Sequence, residues 1–113
     1  MHHPPYFPDA QATAALRAKW EGLANNPELA QRLRVDLAWA LRQRDTPEAL
    51  RLLEAAGAAA ESPRACLVFA EAAWLYNRNA EALEFCDRAQ AGFEATQDDC
   101  GCGDVHLLRA TLF

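Results

Sequence analysis

The residues best suited to chemistry in this sequence are two cysteines and a histidine near its end, Cys100, Cys102 and His106. Thiolate and imidazole ligands suit zinc or copper(I), and a Cys-x-Cys pair can chelate one ion. A structural zinc site needs four ligands, however, and its cysteines are usually spaced Cys-x-x-Cys. The glycines within residues 98–103 instead predict a turn between helices, with Asp104 capping the helix that follows. We therefore expect no bound metal and no other cofactor, and a redox role of the cysteine pair is a weaker alternative.

Nothing in the spacing of the remaining polar residues indicates catalysis. His106 is the only histidine outside the first eight residues, and no serine or pair of acids is spaced to work with it. Ser62 is the only serine, and its place directly before a proline suits helix capping better than nucleophilic attack. The five glycines form no phosphate-binding loop. We therefore predict that the protein is not an enzyme.

Composition predicts that the elements positioning these residues are helices. The chain has 113 residues, among them 25 alanines and 15 leucines, but no isoleucine, three valines and four threonines. Alanine and leucine are strong helix formers, whereas strands are built largely from β-branched and aromatic residues. The composition therefore predicts an all-α fold. A hydrophobic content of 51% with 24% charged residues argues against a disordered chain.

Charge and hydropathy limit the classes of partner. A net charge of −5, with ten scattered arginines, disfavours binding to a phosphate backbone, so we expect no nucleic acid. No apolar run approaches the roughly 18 residues of a membrane span, so we expect no membrane partner. The first residues lack the basic and apolar regions of a secretory signal, which favours a cytoplasmic location with reduced cysteines. Residues 1–8 are predicted to be a disordered leader.

Three similar dipeptides mark the starts of helices. Asn26, Thr46 and Ser62 each precede a proline. Such side chains can accept a hydrogen bond from a free first-turn N–H, and proline is favoured at the first helical position, so we expect helices to begin at residues 27, 47 and 63. Apolar residues spaced three and four apart complete a prediction of five to six helices. These are expected over about 9–24, 27–44, 47–60, 63–75, 80–97 and 104–113.

Two segments of the chain repeat one pattern at an offset of 33 residues. Residues 45–56 can be laid over residues 78–89. The matched pairs are Glu48 and Glu81, Ala49 and Ala82, Leu50 and Leu83, and Ala56 and Ala89. Each block opens the second helix of a helix–turn–helix unit with Glu-Ala-Leu, and a repeat of this length is typical of stacked helical hairpins.

This pattern resembles the tetratricopeptide repeat, and the long helix before residue 98 is similar to the longer-helix variant found in bacterial transcriptional activators and cyclase-linked sensor proteins. The resemblance implies antiparallel helix pairs stacked into a right-handed superhelix. It implies about two and a half repeats in a single domain over residues 9–113, as a fragment of a longer protein. It also implies small residues where helices cross, because helix axes about 8–10 Å apart leave no room for large side chains. Those repeat-packing positions are Ala38, Ala49, Ala56, Ala70, Ala82 and Ala89.

The resemblance also implies a binding groove lined by the first helix of each unit. On the repeat alignment, the groove comprises Arg34, Ala38, Arg42, Leu67, Glu71, Trp74 and Arg78. We therefore expect a non-catalytic protein–protein interaction or sensory module of a bacterial signalling or regulatory protein, whose partner is a protein or peptide. The alternative is a structural module that self-associates as a homodimer through an exposed apolar face. A metal- or redox-responsive cysteine loop is a third and weaker hypothesis.

Overall fold

The computed structural model describes residues 27–112 and, before them, residues 11, 13–15 and 18. Those earlier residues are helical, whereas the rest of the predicted helix over 9–24 and the predicted leader over 1–8 lie outside the described residues. The described part of the chain contains helices and no strand, which confirms the all-α prediction. The elements are α1 (Pro27–Leu41), α2 (Thr46–Glu54), a 3₁₀ helix (Gly57–Glu61), α3 (Pro63–Leu75), α4 (Asn79–Ala95) and α5 (Asp99–Leu112). None of these helices is both long and apolar enough to cross a bilayer.

The chain divides into two compact units, and the first comprises residues 1–60. Its helices α1 and α2 pack against each other. α1 begins at Pro27, as predicted, but it ends at Leu41, three residues earlier than expected. Beyond Leu41, the N–H groups of Arg44 and Asp45 both donate to the carbonyl of Leu41. The connection to α2 is therefore a short turn.

The start of α2 differs from the prediction in its capping residue. Asp45, and not Thr46, is the N-cap, since its carboxylate accepts from the N–H of Glu48 at 3.2 Å. The hydroxyl of Thr46 instead donates to the carbonyl of Arg42 at 2.8 Å. The prediction of Thr46 as the cap is wrong because the helix begins one residue earlier than its proline suggests.

The end of α2 also differs, since the predicted helix over 47–60 stops at Glu54. Gly57 has a φ of +60°, which lies in the left-handed region that glycine enters at little cost. This conformation interrupts the α-helix, and a 3₁₀ helix, Gly57–Glu61, follows. The buried apolar side chains of residues 27–60 are Ala30, Val35, Leu37, Ala38, Trp39, Ala40, Leu41, Ala49, Leu52, Leu53 and Ala56.

The second unit, residues 61–113, contains α3, α4 and α5, and each of these helices packs against the other two. α3 begins at Pro63 with Ser62 as its N-cap, as predicted, and the Ser62 hydroxyl accepts from the N–H of Ala65 at 3.2 Å. The buried apolar side chains of the described part of this unit are Ala65, Cys66, Leu67, Val68, Ala70, Ala72, Ala73, Ala82, Cys86, Ala89, Phe93, Val105, Leu108 and Leu112.

The turns after α3 and after α4 have the same backbone geometry. Asn77 and Gln97 both adopt left-handed φ values, 62° and 56°. After each of them, a backbone N–H returns to a carbonyl five residues earlier, from Arg78 to Ala73 and from Asp98 to Phe93, both at 2.8 Å. This is the Schellman arrangement, which satisfies the last carbonyls of a helix and reverses the chain sharply. Each turn leads directly into the next helix.

The start of α5 corrects the prediction for residues 98–103. These residues do not form a loop, because α5 begins at Asp99 and continues through the cysteines and glycines to Leu112. Asp98 accepts from the N–H of Gly101 at 2.8 Å and thereby caps the helix. Asp104, predicted to be the cap, is buried inside the unit. Capping and packing together overcome the low helix propensity of glycine here.

Candidate functional site

The predicted groove residues of the first unit are mostly involved in the fold itself. Ala38 and Arg42 are buried, and the guanidinium of Arg42 lies 3.6 Å from the centre of the Trp39 ring. Arg42 also donates to the carbonyl of Trp39 at 2.9 Å. Arg34 is half-buried and donates to the carbonyl of Ala55 at 2.7 Å, just after the last residue of α2. A cation at this end of a helix is favoured by the helix dipole.

The predicted groove residues of the second unit divide into buried and exposed ones. Leu67 and Glu71 are buried, so their side chains offer no surface to a partner. Trp74 and Arg78 are exposed. The guanidinium of Arg78 lies 3.8 Å from the carboxylate of Glu81, in the next turn. Of the predicted groove residues in this unit, only Trp74 and Arg78 can contact a partner.

The six repeat-packing alanines have a uniform environment. Each has 0% of its surface exposed. Ala38 and Ala70 lie on the first helix of a pair, α1 or α3. Ala49, Ala82 and Ala89 lie on the second helix, α2 or α4, and Ala56 lies just beyond α2. The residues of each matched pair, Ala49 with Ala82 and Ala56 with Ala89, therefore share complete burial.

Four exposed apolar residues lie at the end of α3, in the turn after it and near the start of α4. We call them the end patch, and they are Trp74, Leu75, Tyr76 and Leu83. Between 37% and 55% of each residue's surface is exposed. The sharp turn at residues 76–78 places the end of α3 beside the start of α4, which carries Leu83 in its second turn. Four of the six exposed large apolar residues in the described part of the chain lie at this end of α3 and α4, which favours this region as the surface for a macromolecular partner.

Helices α3 and α4, which carry the end patch, are joined by an aromatic contact. The rings of Phe69 on α3 and Phe85 on α4 are stacked with their centroids 5.3 Å apart. Arg88 lies over the Phe85 ring at 5.4 Å and forms an ion pair with Glu84 at 3.1 Å. These contacts hold the two helices together, so the end patch is carried on packed helices.

The sequence prediction included Trp74 but missed Leu75, Tyr76 and Leu83. A signal for two of them was present, because three large apolar residues in a row precede the turn. Successive residues of a helix point about 100° apart, so three in a row cannot all face one core. Leu83 gave no such signal, since its spacing suits a buried position equally well.

The second unit also contains a buried ion pair that the sequence did not predict. Arg64 at the start of α3 donates to the carboxylate of Asp104 on α5 at 2.7 Å, and both residues are buried. The Arg64 guanidinium also lies 5.1 Å from the centre of the Phe93 ring on α4. Gly101 lies against the same ring, and a Cβ added at Gly101 would overlap Phe93. These four residues join all three helices of the unit.

The cysteines differ in exposure and in acidity. Cys66 and Cys86 are buried, and burial raises the pKa of both thiols. Cys100 is exposed and Cys102 is half-buried. Partial burial, followed by the carboxylates of Glu94, Asp99 and Asp98, raises the pKa of the Cys102 thiol.

The metal candidates Cys100, Cys102 and His106 all lie on α5. Residues two apart on a helix do not face each other, so the two thiols of this pair point in different directions. His106 is exposed. Within the described ranges, no group of three or more histidine, cysteine or acidic side chains is arranged to hold a metal ion.

Comparisons of this chain with protein-family models, with curated proteins and with solved structures find no significant match. The class of protein supported by the described residues is an all-helical one with an exposed apolar end patch. Its function is therefore inferred from its own residues and contacts.

Proposed function

We propose that this chain is a non-catalytic protein-interaction module of the tetratricopeptide kind, and that the end patch contacts its protein or peptide partner. In this proposal the helix pairs stack in the right-handed manner of that family. The module serves a larger bacterial signalling or regulatory protein, such as one that carries a cyclase or a transcriptional regulator. The observation that carries the binding function is the exposure of four large apolar side chains at one end of α3 and α4.

The burial of the repeated alanines supports the repeat. Ala49 and Ala82 lie in the first turns of α2 and α4, 33 residues apart, and neither has any exposed surface. Only small side chains allow helices to approach closely at such a position. Ala56 and Ala89 repeat the same relation seven residues later. The shared burial of both pairs supports the repeat, although Ala56 lies two residues beyond the end of α2 whereas Ala89 lies within α4.

The composition of the end patch supports a protein partner. Tryptophan and tyrosine are enriched among the residues that dominate binding energy, because each buries a large area while ordering few rotatable bonds. Trp74 and Tyr76 provide both types within three residues. Arg78, two residues further on, is also exposed and lies 3.8 Å from the carboxylate of Glu81. A partner that covers these side chains would remove substantial apolar surface from water.

The test compares the double variant Trp74→Ala/Tyr76→Ala with the control Leu107→Ala. Leu107 lies on α5 of the same unit and is 46% exposed, so the control removes a similar apolar side chain outside the patch. Bound proteins are captured by each form from an extract of the source cells and identified by mass spectrometry. Affinity is then measured with the purified partner. We expect the double variant to raise Kd by about 30-fold or more, and the control to leave Kd unchanged.

The proposal is wrong if the double variant and the control retain the same partner with the same affinity while thermal unfolding shows both to be folded. Self-association is the second candidate, and the same exposed patch favours it. Sedimentation equilibrium over a range of protein concentrations separates the two. A dimer that forms in the wild type and is lost in the double variant would assign the patch to a second copy of this chain.

A further inference from the structure

Cys100 and Cys102 lie in the first turns of α5, where two contacts hold the backbone helical. The N–H of Gly101 donates to the side chain of Asp98 at 2.8 Å, and the N–H of Cys102 donates to the Asp98 carbonyl at 3.0 Å. Glycine is a poor helix former, and both Gly101 and Gly103 lie in this segment. The helical state of residues 99–103 therefore depends on this cap and on packing.

The packing that supports this turn comes from the rest of the second unit. Gly101 is buried against the ring of Phe93, and Asp104 forms the buried ion pair with Arg64. The contact of Gly101 requires the first turn of α5 to be wound, and Asp104 anchors the second turn beside it. Unwinding the first turn would separate Gly101 from the Phe93 ring.

A helix keeps the two thiols apart. In an α-helix, Cβ atoms two residues apart point about 200° away from each other. Cysteines whose Cβ atoms point apart cannot be joined by a disulfide unless the backbone moves. The residue between them is Gly101, whose backbone can adopt the conformations that a small disulfide ring requires. The sequence thus permits a disulfide that the helix forbids.

We propose that Cys100 and Cys102 form a reversible dithiol–disulfide site, and that its oxidation unwinds the first turn of α5. The oxidant is a low-molecular-weight disulfide of the glutathione class. This inference is independent of the proposed binding function, since it concerns α5 and not the end patch.

The reaction is two successive thiol–disulfide exchanges. The thiolate of exposed Cys100 attacks one sulfur of the oxidant, which forms a mixed disulfide and releases one small thiol. The thiolate of Cys102 then attacks the Cys100 sulfur of the mixed disulfide and displaces the second small thiol. The two protons lost by the cysteines are taken up by the two leaving thiolates. In total, two cysteine thiols are oxidised and one small disulfide is reduced to two thiols.

The coupling between oxidation and folding runs in both directions. If the disulfide forms only when the turn unwinds, it destabilises the folded state. By the same thermodynamic cycle, the folded state must lower the equilibrium constant for forming the disulfide. The disulfide is therefore easier to reduce in the folded protein than in the unfolded chain. A reversible site needs this property, because structural disulfides resist reduction by glutathione.

The experiment equilibrates the full chain with glutathione buffers of graded composition, in native solution and in denaturant, and quenches with acid. Trypsin cleaves after Arg88 and Arg109, so residues 89–109 are released as one peptide that contains Cys100 and Cys102 and neither of the other cysteines. Mass spectrometry of this peptide measures the disulfide directly. We expect the equilibrium constant in native solution to be at least about tenfold smaller than in denaturant, which corresponds to about 1.4 kcal/mol.

Amide hydrogen exchange of the native protein supplies a second measurement. Oxidation is expected to abolish protection of the N–H groups of Gly101 and Cys102, while the middle of α4 stays protected. The control is Cys102→Ser, which can form the mixed disulfide at Cys100 but cannot close the ring, and its α5 should keep its protection. The proposal is overturned if native protein forms only the mixed disulfide. It is overturned equally if the two equilibrium constants agree, or if the disulfide leaves exchange unchanged.

Discussion

The first unit has seven acidic and seven basic side chains, whereas the second has nine acidic and four basic ones, so the whole net charge of −5 lies in the second unit. Both units contain arginine–carboxylate ion pairs, but these pairs differ in burial. In the described part of the first unit, Arg51 lies 2.5 Å from the carboxylate of Glu48, and Arg34 and Arg42 each donate to a backbone carbonyl. All four arginines of the second unit contact carboxylates, in the pairs Arg64–Asp104, Arg78–Glu81, Arg88–Glu84 and Arg109–Asp87.

This difference shows where electrostatics matters for stability. Exposed ion pairs contribute at most about 1 kcal/mol each, because water and salt screen them. Arg64–Asp104 is the exception in the second unit, since both of its side chains are removed from water. In the described part of the first unit, the Arg51–Glu48 pair has an exposed arginine. The ends of α2 are also stabilised by single hydrogen bonds, from Glu48 to Asp45 and from Arg34 to Ala55. Substitutions in the two units should therefore lower the free energy of unfolding by different amounts.

The largest effect is expected for Asp104→Ala in the second unit. This change leaves the Arg64 guanidinium in a buried site without the carboxylate 2.7 Å away, and breaking a buried ion pair typically costs about 3–5 kcal/mol. Urea unfolding followed by circular dichroism measures the loss. The double variant Arg64→Met/Asp104→Leu removes both charges and should recover most of it. If Asp104→Ala lowers the free energy of unfolding by less than about 1 kcal/mol, this pair contributes no more than an exposed ion pair does.

A smaller effect is expected for Gly101→Ala, and its control lies two residues away. Alanine normally stabilises a helix relative to glycine by about 0.5–1 kcal/mol. At Gly101 the added methyl group would overlap the buried ring of Phe93, so we expect a net loss of about 1–3 kcal/mol. A Cβ at Gly103 meets no other atom within 4 Å, so Gly103→Ala should stabilise the protein. Thermal unfolding compares the two variants, and equal signs would contradict the packing described for α5.

The smallest effect is expected at the start of α2 in the first unit. Asp45→Ala removes the carboxylate that accepts from the N–H of Glu48, and loss of such a cap costs about 1 kcal/mol. Thr46→Ala removes only a hydroxyl that donates to the Arg42 carbonyl, so its effect should be smaller. Urea unfolding of the two variants decides between the two residues. If Thr46→Ala lowers the free energy of unfolding more than Asp45→Ala does, Thr46 is the N-cap, as the sequence suggested.

Local signals in the sequence were sufficient for part of the fold. The starts of α1 and α3, the Ser62 cap and the turn after α3 were predicted correctly, because each depends on residues that are neighbours in the chain. The prediction failed for residues 98–103, where the local signal of two glycines favours a turn. Phe93 and Arg64 make the helix stable there, and their closeness to α5 is decided by the packing of three helices.

The candidate site shows the same limit. The repeat alignment placed Trp74 and Arg78 on the binding face, and both are exposed. It also placed Arg42 and Glu71 on the binding face, and both are buried. Charged residues are rarely buried unless they have partners, so the sequence alone favours exposure. The alignment gives the face on which a side chain lies but not what covers that face.

The sequence by itself determined that this protein is helical, because the abundance of alanine and leucine and the near absence of β-branched residues leave no material for a sheet. It also determined two of the helix starts, through proline and the residue before it. Only the tertiary structure decided that Asp104 is buried beside Arg64, that Gly101 contacts Phe93, and that the cysteine pair lies on a helix. The physical reason is that these contacts join residues distant in sequence, and their energy outweighs local propensities of less than about 1 kcal/mol per residue.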